Sequence, residues 1–296
     1  MFAKNSEMNH SRRTFIRNSA LTAMALSIPF SNELMAMVKP NPTFGIQLWS
    51  VKMALDKDPM GVLKLLSKSG YKKVESFEGM KGMFWGMKNT EFKKVMDDLG
   101  MNIISSHCND TGDFKSFERK AAEAGEIGMK YLICAHKGPQ KSIDNFKQFA
   151  DEFNECGKIA KKHGLRFAYH NHDYSFIPMN GIVPQDVMME NTDKDVVDFE
   201  MDLYWTRVAD IDPVAYMKRY PNRFKLVHVK DLVKTNTAIG HESCIIGQGT
   251  IDYKTLLPLV AKQGVQHMFV EQEAYTGTNE LDAAVADATY MKTLKW

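Results

Sequence analysis

The stretch Arg166–Asp173 reads Arg-Phe-Ala-Tyr-His-Asn-His-Asp, a short apolar run that turns polar at its C-terminal end. His170 and His172 stand two residues apart, and such residues point to the same side of a β-strand, so we expect both imidazoles to project together. Three later stretches end in the same way on metal-compatible or acid/base side chains: Val197–Trp205 with Glu200 and Asp202, Phe224–Asp231 with His228 and Lys230, and Met268–Glu273 with Glu271 and Glu273. Four such strands predict one site at the carboxyl ends of a parallel barrel.

The rest of the chain alternates between strand-like and helical segments and predicts an α/β fold, a single (β/α)8 TIM barrel. Eight strand–helix pairs occupy about 255 residues, close to the roughly 250 that are typical of this barrel. The predicted strands are Thr43–Ser50, Tyr71–Phe77, Met101–His107, Tyr131–His136, Arg166–His172, Val196–Met201, Phe224–Val229 and Gln266–Gln272. An open doubly wound sheet is the competing architecture. It is disfavoured because no strand-to-helix turn carries a full Gly-x-Gly-x-x-Gly, and Gly247–Gly249 follows a long loop instead of a strand.

Composition excludes several classes of function. The 296 residues carry a net charge of +2, which is too close to neutral to indicate a nucleic-acid partner or an anionic membrane surface. None of the four cysteines forms a Cys-x-x-Cys pair, so a zinc–thiolate cluster is not expected, although disulfides stay open. Cys134 lies in an apolar run and is predicted to be a buried thiol.

The N-terminus is predicted to lie outside the fold. Ser11–Arg17 contains two adjacent arginines, and Ala20–Phe30 follows as a short apolar stretch. This resembles a twin-arginine export signal, and the alternative is a chance Arg-Arg pair before an amphipathic helix. Residues 1–37 are therefore predicted to be a removed signal and linker, and 38–296 the barrel, which the twin-arginine machinery would export to the periplasm. The apolar run is too short to span a membrane, and no cysteine follows it that could carry a lipid, so no stable membrane anchor is expected.

Many ionisable side chains are predicted to face one cavity at the strand ends. They accompany two uncharged residues, and the whole set is Gln47, Trp49, Glu75, His107, His136, His170, His172, Glu200, Asp202, His228, Lys230, Glu271 and Glu273. Burying so many such groups without partners would cost several kcal/mol each. A divalent metal ion would satisfy them, whereas any one of them alone is more often simply hydrogen-bonded.

Eight fragments in order along the chain carry a family resemblance. They are Gly45–Val51, Gly70–Glu75, Ser105–His107, Tyr169–Asp173, Asp202–Trp205, His228–Asp231, Gly249–Asp252 and Val270–Glu273. Together they resemble the sugar phosphate isomerase/epimerase group of xylose isomerase-like TIM barrels. The resemblance implies a metal held at the ends of strands five to eight, here by His170, Asp202, His228 and Glu271. At strand five the usual Glu-Asn of the family matches His170-Asn171, so a histidine replaces a glutamate, and only Glu271 survives of the family's pair of acid/base glutamates.

Two imidazoles and two carboxylates form a mixed nitrogen and oxygen site, which favours Mn²⁺ or Zn²⁺, with Co²⁺ or Fe²⁺ as further candidates, over Mg²⁺ or Ca²⁺. Glu271 is predicted to remove a proton α to a carbonyl, with His172 or His107 as the second acid/base group. Substrate contacts are predicted for Gln47, Trp49, Glu75, Trp205, Lys230 and Glu273. The alternatives are a rim salt bridge for Glu75 and Lys230, and barrel packing for each tryptophan.

The predicted function is a metal-dependent isomerase or epimerase that works through an enediolate. An exported enzyme is not expected to meet cytosolic sugar phosphates, so the predicted partner is a small unphosphorylated sugar or keto-sugar. A metal-dependent lyase or dehydratase on keto-sugars is one alternative, and a non-catalytic exported sugar-binding barrel is another. The fold also has a relative that cleaves DNA with several zinc ions, but the near-neutral charge supplies no basic groove. The sequence is compatible with a homo-oligomer.

Overall fold

The computed structural model describes residues 43–109 and 111–296. The predicted export signal and the domain boundary at residue 37 lie outside the described residues and stay predictions. Within the described part of the chain, no helix has both the length and the apolar character that crossing a membrane requires.

Eight parallel strands close into a barrel in the order β1-β10-β7-β6-β5-β4-β3-β2, which confirms the predicted (β/α)8 fold. The strands in chain order are β1 (Gly45–Gln47), β2 (Lys73–Phe77), β3 (Asn102–Cys108), β4 (Tyr131–Cys134), β5 (Arg166–His170), β6 (Val197–Asp202), β7 (Phe224–Val229), β8 (Asp231–Lys234), β9 (His241–Cys244) and β10 (His267–Val270). The pair β8 and β9 forms a separate antiparallel hairpin that follows β7. Because all barrel strands run in parallel, their carboxyl ends meet at one face.

Helices connect the strands, and several of them begin at a side-chain cap. Their bounds are α1 (Lys52–Lys57), α2 (Pro59–Ser69), α3 (Asn89–Asp98), α4 (Phe114–Glu126), α5 (Ile143–Lys162), α6 (Pro184–Asn191), α7 (Leu203–Val208), α8 (Pro213–Arg219), α9 (Tyr253–Ala261) and α10 (Glu280–Met291). The predicted N-cap Asp252 accepts a hydrogen bond from Thr255 N at the start of α9. Gly70 ends α2 in the left-handed conformation at φ 108°, as the stop signal in the sequence indicates.

Several strands end earlier than their apolar pattern predicts. After β1 the side-chain oxygen of Gln47 accepts a hydrogen bond from Trp49 N, and residues Leu48–Val51 turn into a 3₁₀ helix. Strand β5 stops at His170, so His172 lies beyond it and does not share the strand geometry expected for it. Asn171 joins this strand end to β6, because its Oδ1 accepts from Asp202 N at 3.2 Å. Hydrogen bonds from polar side chains thus replace the strand ladder where the site begins.

The barrel interior divides into an apolar end and a polar end. The apolar cluster consists of Ile104, Tyr131, Ile133, Ala168, Leu226 and Phe269. Gly45 is required beside it, because a Cβ at this position would lie 2.4 Å from the Phe269 ring and 2.8 Å from the backbone oxygen of Lys73. Toward the carboxyl ends of the barrel strands the buried side chains are polar, among them Glu75, His107, Glu200 and His228. The closed apolar end leaves the carboxyl-terminal end as the place where these groups can meet a ligand.

The sequence predicts a loop after β7, but the structure forms the hairpin β8–β9 in this segment. The sequence pattern does not reveal the hairpin, because its strands are too polar to show an apolar period. Asp231 anchors the segment by accepting four backbone N–H groups, those of Leu232, Gly247, Gly249 and Ile251. From β9, Ser243 Oγ accepts from the backbone N–H groups of Glu273 and Ala274, both at 2.9 Å. The hairpin is therefore tied to the chain that follows β10.

The four cysteines are free, and Cys134 is buried, as predicted. Burial raises the pKa of the Cys134 thiol to about 11. An uncharged thiol of this kind packs as a small apolar group.

His267, at the start of β10, generates a prediction about stability and pH. Its Nδ1 is buried without a hydrogen-bond partner in the part of the chain that the structure describes. Burial, followed by Lys73, lowers the pKa of His267 to about 4, against about 6.5 in an unfolded chain. Between about pH 4 and 6.5 His267 therefore binds a proton in the unfolded chain but not in the folded one. The free energy of unfolding is highest above about pH 6.5 and falls as the pH drops toward 4. We expect His267→Gln to remove the uptake of about one proton on unfolding near pH 5. Urea unfolding of the original chain and of the variant between pH 4.5 and 7.5 measures the free energy of unfolding against pH. An identical slope of this free energy with pH in the two proteins would contradict the prediction.

Candidate metal site and pocket

A pocket of about 280 Å³ opens at the carboxyl ends of the barrel strands. Its walls combine aromatic rings, imidazoles and carboxylates, contributed by Trp49, Phe77, Glu78, His107, Asn109, Ala135, His136, His170, His172, Trp205, Glu271 and Glu273. The mixture is typical of a site for a small polar ligand, with rings for packing and a few polar groups for orientation.

The four predicted metal ligands converge at the base of this pocket. Asp202 Oδ2 lies 3.8 Å from His170 Nε2 and 3.9 Å from His228 Nδ1, and Glu271 Oε2 lies 3.1 Å from His228 Nδ1. These residues lie at the ends of β5, β6, β7 and β10, which are consecutive neighbours in the barrel, so the sheet order places them side by side.

Asp202 offers the clearest test of whether a cation fits. Its Oδ1 accepts from Tyr204 N at 2.7 Å and from Trp205 N at 2.9 Å, which fixes the carboxylate at the start of α7. Its other oxygen, Oδ2, is buried and has no hydrogen-bond partner in the described chain. Separations near 3.9 Å are too long for hydrogen bonds, but they suit two atoms that share a cation with ligand distances of about 2.0–2.2 Å. The donor set present therefore fits a divalent metal.

The charges around this group are mutually dependent. Burial raises the pKa of Asp202, although Lys230 and His170 oppose the rise. Burial also disfavours the charged form of Glu271, yet Lys230 and His228 hold its pKa well below the usual range. Lys230 itself is fully buried, and its Nζ lies 3.3 Å from Glu271 Oε2 and 4.0 Å from Asp202 Oδ2. One fixed positive charge thus keeps a carboxylate ionised beside the pocket.

We call Asp202 and Glu271 the upper group. A second polar group, the lower group, consists of Glu75, His107 and Glu200 and contacts the other ring nitrogens of His170 and His228. His107 Nε2 lies 2.9 Å from Glu200 Oε2 and 3.1 Å from Glu75 Oε1. His228 Nε2 approaches the same two carboxylates, at 2.7 Å from Glu75 and 3.2 Å from Glu200. His170 Nδ1 completes the group, at 3.1 Å from Glu200 Oε2. The sequence places Glu200 at a strand end, two residues before Asp202 and on the same face, but that spacing does not reveal its contact with three imidazoles.

Electrostatics in this lower group favour charged partners. Burial opposes ionisation of Glu200, but His228 and His107 hold its pKa well below the ordinary range. Burial likewise opposes the cationic form of His107, but Glu75 and Glu200 raise its pKa to about 9. Imidazole and carboxylate therefore stabilise each other where neither would be stable alone.

The predicted substrate contacts fall into two groups. Trp49, Trp205 and Glu273 line the pocket. Gln47 and Glu75 have no exposed surface and contact each other, with Gln47 Nε2 donating to Glu75 Oε1 at 2.9 Å. Lys230 forms an ion pair with Glu273 as well as with Glu271, but it is buried and does not lie at a rim. The roles assigned to these residues stay predictions, and only the first group lies where a ligand can reach it directly.

One wall of the pocket is built from uncharged imidazoles. The His172 ring packs against those of His136 and Trp205, with centroids 4.8 Å and 5.1 Å away. Burial, followed by the neighbouring imidazoles of His170 and His136, lowers the pKa of His172 to about 2. Its buried Nδ1 makes no hydrogen bond to the described residues. The sequence points to His136 only as a strand-end residue, and it carries no signal for the loop residue Asn109.

A closed parallel barrel with ionisable groups gathered at its carboxyl ends defines a class of enzymes with one site at that face. The family profile described as "Xylose isomerase-like TIM barrel" matches residues 63–294, and the chain belongs to this family.

Individual relatives carry two kinds of name. The chain is 31% identical over 191 residues to an inosose dehydratase of Salmonella agona (strain SL483), an alignment that covers 58% of this chain and 62% of the relative. The chain thus spans less than two thirds of that curated relative. Two crystal structures of a sugar phosphate isomerase/epimerase from Parabacteroides distasonis ATCC 8503 are also similar. One is 29% identical with a TM-score of 0.73 and covers 84% of this chain and 96% of the other. The second is 26% identical with a TM-score of 0.72 and covers 86% and 95%.

Asp202→Asn tests whether the upper group binds a cation. The amide retains the oxygen that caps α7 but loses the charge at the unpartnered position. We expect Zn²⁺ or Mn²⁺ affinity to fall by more than about 100-fold, the upper end of what loss of an outer partner costs. The free energy of unfolding of the metal-free protein should change by about 1 kcal/mol or less, because no hydrogen bond to Oδ2 is lost. Titration calorimetry and urea unfolding measure the two quantities, and unchanged metal affinity would exclude Asp202 as a ligand.

Proposed function

We propose that this protein is a metal-dependent enzyme that removes the proton α to a carbonyl of a small unphosphorylated sugar or keto-sugar and then completes an isomerisation or epimerisation. The observation that carries the proposal is the convergence of Asp202, His228 and Glu271, with His170 beside them, under a pocket of sugar size. These four residues would hold the cation, for which Zn²⁺ and Mn²⁺ are the preferred candidates. When bound, the cation would supply Lewis-acid polarisation of the carbonyl and neutralise developing negative charge.

Glu271 is placed to act as the base. Its Oε2 contacts His228 and Lys230, whereas Oε1 has no hydrogen-bond partner among residues 43–109 and 111–296. We assign the proton transfer to Oε1, because the residue borders the pocket and its carboxylate is held in the ionised form. The Lys230 ammonium then stays fixed beside it by its ion pair with Glu273.

The charge of the pocket favours an uncharged substrate. Among the described residues that line it there is no arginine or lysine, and three of them are the carboxylates Glu78, Glu271 and Glu273. A phosphate group would therefore meet three carboxylates, and the His107 imidazole, whose pKa is raised, is already paired with Glu75 and Glu200. Sugar hydroxyls need only donors and acceptors, which the neutral imidazoles of His136 and His172 supply.

The remaining walls would orient the ring. Trp49 and Trp205 lie in the short helices that follow β1 and β6, and both line the pocket. We propose that they pack on the apolar faces of the sugar. His107, which also lines the pocket, and His172 are the candidates for the second acid/base group.

Dehydration is the second candidate, because the curated relative with 31% identity is named inosose dehydratase. It shares the first step, proton removal by Glu271. The pathways part afterwards, when a β-hydroxyl leaves as water instead of a proton returning to carbon.

Export to the periplasm by the twin-arginine route stays a proposal that rests on residues 11–30. It agrees with a substrate that carries no phosphate.

Glu271→Gln distinguishes an enzyme from a sugar-binding barrel. We expect turnover to fall by about 10²–10⁴-fold at saturating metal, because a general base is lost while the side-chain volume is kept. The fold should persist, as measured by circular dichroism and urea unfolding. Glu242→Gln on β9 is the matched control, since it makes the same chemical change outside the pocket. Full turnover in the Glu271 variant would exclude this residue as the base.

Proton NMR in D₂O separates the two candidate reactions. A panel of unphosphorylated aldoses, ketoses, inososes and keto-sugars is incubated with the metal-loaded protein. Isomerisation or epimerisation should place deuterium on carbon in a product with the same number of heavy atoms. Dehydration should instead yield a conjugated carbonyl product lighter by one water. Failure to exchange any α-proton across the panel would contradict the shared first step.

A further inference from the structure

The two buried carboxylates beneath the site, Glu75 and Glu200, have no place in the proposed reaction. Both lack exposed surface, and neither borders the pocket. Their contacts are nevertheless with His228 and His170, two of the residues that would hold the cation.

His228 divides its two ring nitrogens between the two layers. Nε2 faces the lower group and lies 2.7 Å from Glu75 Oε1 and 3.2 Å from Glu200 Oε2. Nδ1 faces the upper group, 3.1 Å from Glu271 Oε2 and 3.9 Å from Asp202 Oδ2.

In His170 the two nitrogens are exchanged, so that Nδ1 faces the lower group and Nε2 faces the upper group. Nδ1 lies 3.1 Å from Glu200 Oε2, and Nε2 lies 3.8 Å from Asp202 Oδ2. A neutral imidazole carries one N–H and one lone pair, and a carboxylate can only accept. Within the described chain, only the Nδ1 side of His170 has a carboxylate oxygen within hydrogen-bonding distance. In His228 the contact of Nε2 with Glu75, at 2.7 Å, is shorter than the contact of Nδ1 with Glu271, at 3.1 Å, so we place the N–H of both rings toward the lower carboxylates.

We propose that Glu75 and Glu200 are positioning residues that select the tautomers of His228 and His170, so that Nδ1 of His228 and Nε2 of His170 present their lone pairs to a divalent cation. The proposal rests on the cation site proposed above. In this proposal Glu75 and Glu200 determine which ring nitrogen of each histidine can bind the cation.

The lower carboxylates are themselves held in place. Glu75 Oε1 accepts from Gln47 Nε2 at 2.9 Å, and its Oε2 accepts from Ser105 Oγ at 2.6 Å. His107 bridges the two carboxylates through one nitrogen, Nε2. Glu75 is therefore fixed through both of its oxygens. Glu200 is held through Oε2 alone, by contacts with His107, His170 and His228, because its buried Oε1 has no hydrogen-bond partner among the described residues.

The same residues permit a competing arrangement. His107, His170, Glu200 and His228 could together hold a cation in the lower layer. That arrangement needs lone pairs on Nδ1 of His170 and Nε2 of His228, the reverse of the tautomers proposed. One imidazole cannot present both nitrogens without losing its remaining proton, so the two arrangements predict opposite nitrogens at the metal.

Long-range ¹H–¹⁵N NMR of the full chain, labelled on its histidines and loaded with Zn²⁺, decides between them. We expect zinc on Nδ1 of His228 and on Nε2 of His170, with the other ring nitrogen of each protonated. Zinc on the reverse nitrogens would overturn the proposal while leaving a metal-dependent enzyme intact. Absence of any Zn²⁺, Mn²⁺ or Co²⁺ binding would overturn both the proposal and the function on which it rests.

Glu200→Gln measures the energetic effect, with Glu75→Gln as the second variant should the first fail to fold. We expect the Zn²⁺ dissociation constant, measured by competition with a chromophoric chelator, to rise by about 10–100-fold, as for loss of an outer carboxylate partner. Glu242→Gln, at a residue that makes no ion pair with His170 or His228, should leave the dissociation constant unchanged. An effect under about twofold, or one that exceeds the effect of Asp202→Asn, would contradict a positioning role.

A double-mutant cycle supplies the readout that a purely structural role would not move. In His170→Glu the candidate ligand is a carboxylate with no second ring nitrogen to orient. Adding Glu200→Gln to this background should cost less zinc affinity than in the unmodified chain, because only the contact of Glu200 with His228, at 3.2 Å, is left to lose. The same loss in both backgrounds would show that Glu200 acts on stability alone.

Discussion

The site depends on one buried carboxylate oxygen, Asp202 Oδ2, that has no hydrogen-bond donor within reach among the described residues. A charged oxygen in this position is costly unless a positive charge lies close to it. Imidazole nitrogens and the Lys230 ammonium surround it at about 4 Å, which leaves an opening between them rather than a set of hydrogen bonds. A divalent cation satisfies this arrangement more directly than any rotation of the side chains.

The barrel makes the arrangement affordable by separating its interior into layers. Phe269 and its apolar neighbours close one end, and Gly45 leaves the space that the Phe269 ring occupies. The polar layer above is compact, because carboxylates and imidazoles alternate within hydrogen-bonding distance. Each charged group is thereby compensated by a neighbour from another strand, so the site depends on closure of the whole sheet.

Much of the fold could be predicted from the sequence, since alternating strand-like and helical segments define the barrel and Asp252 and Gly70 mark helix ends. The convergence of Asp202, His228 and Glu271 was also accessible, because strand ends of a parallel barrel meet at one face. The sequence does not show how deep in the barrel each strand-end side chain lies. Whether a strand-end carboxylate reaches the pocket, as Glu271 does, or lies beneath the imidazoles, as Glu200 does, depends on register, and the pairing of β6 with β7 shifts between Phe199 and Glu200.

The histidines illustrate the same limit. Two residues of spacing place His170 and His172 on one side only while the strand continues, and β5 ends at the first of them. His172 therefore lies on the pocket wall beside His136, in an environment set by loops that carry no periodic signal. The hairpin after β7 went unpredicted for a related reason, because its strands pair through backbone groups and carry few apolar side chains.

That hairpin has a consequence for where the chain can tolerate a change of length. Its base is clamped by the Asp231 carboxylate, and Ser243 links it to the chain beyond Glu271. Its tip, residues 235–240, is largely exposed. A change of length at this exposed tip can therefore be accommodated in solvent, while the contacts of Asp231 and Ser243 keep the base of the hairpin and the chain beyond Glu271 in place.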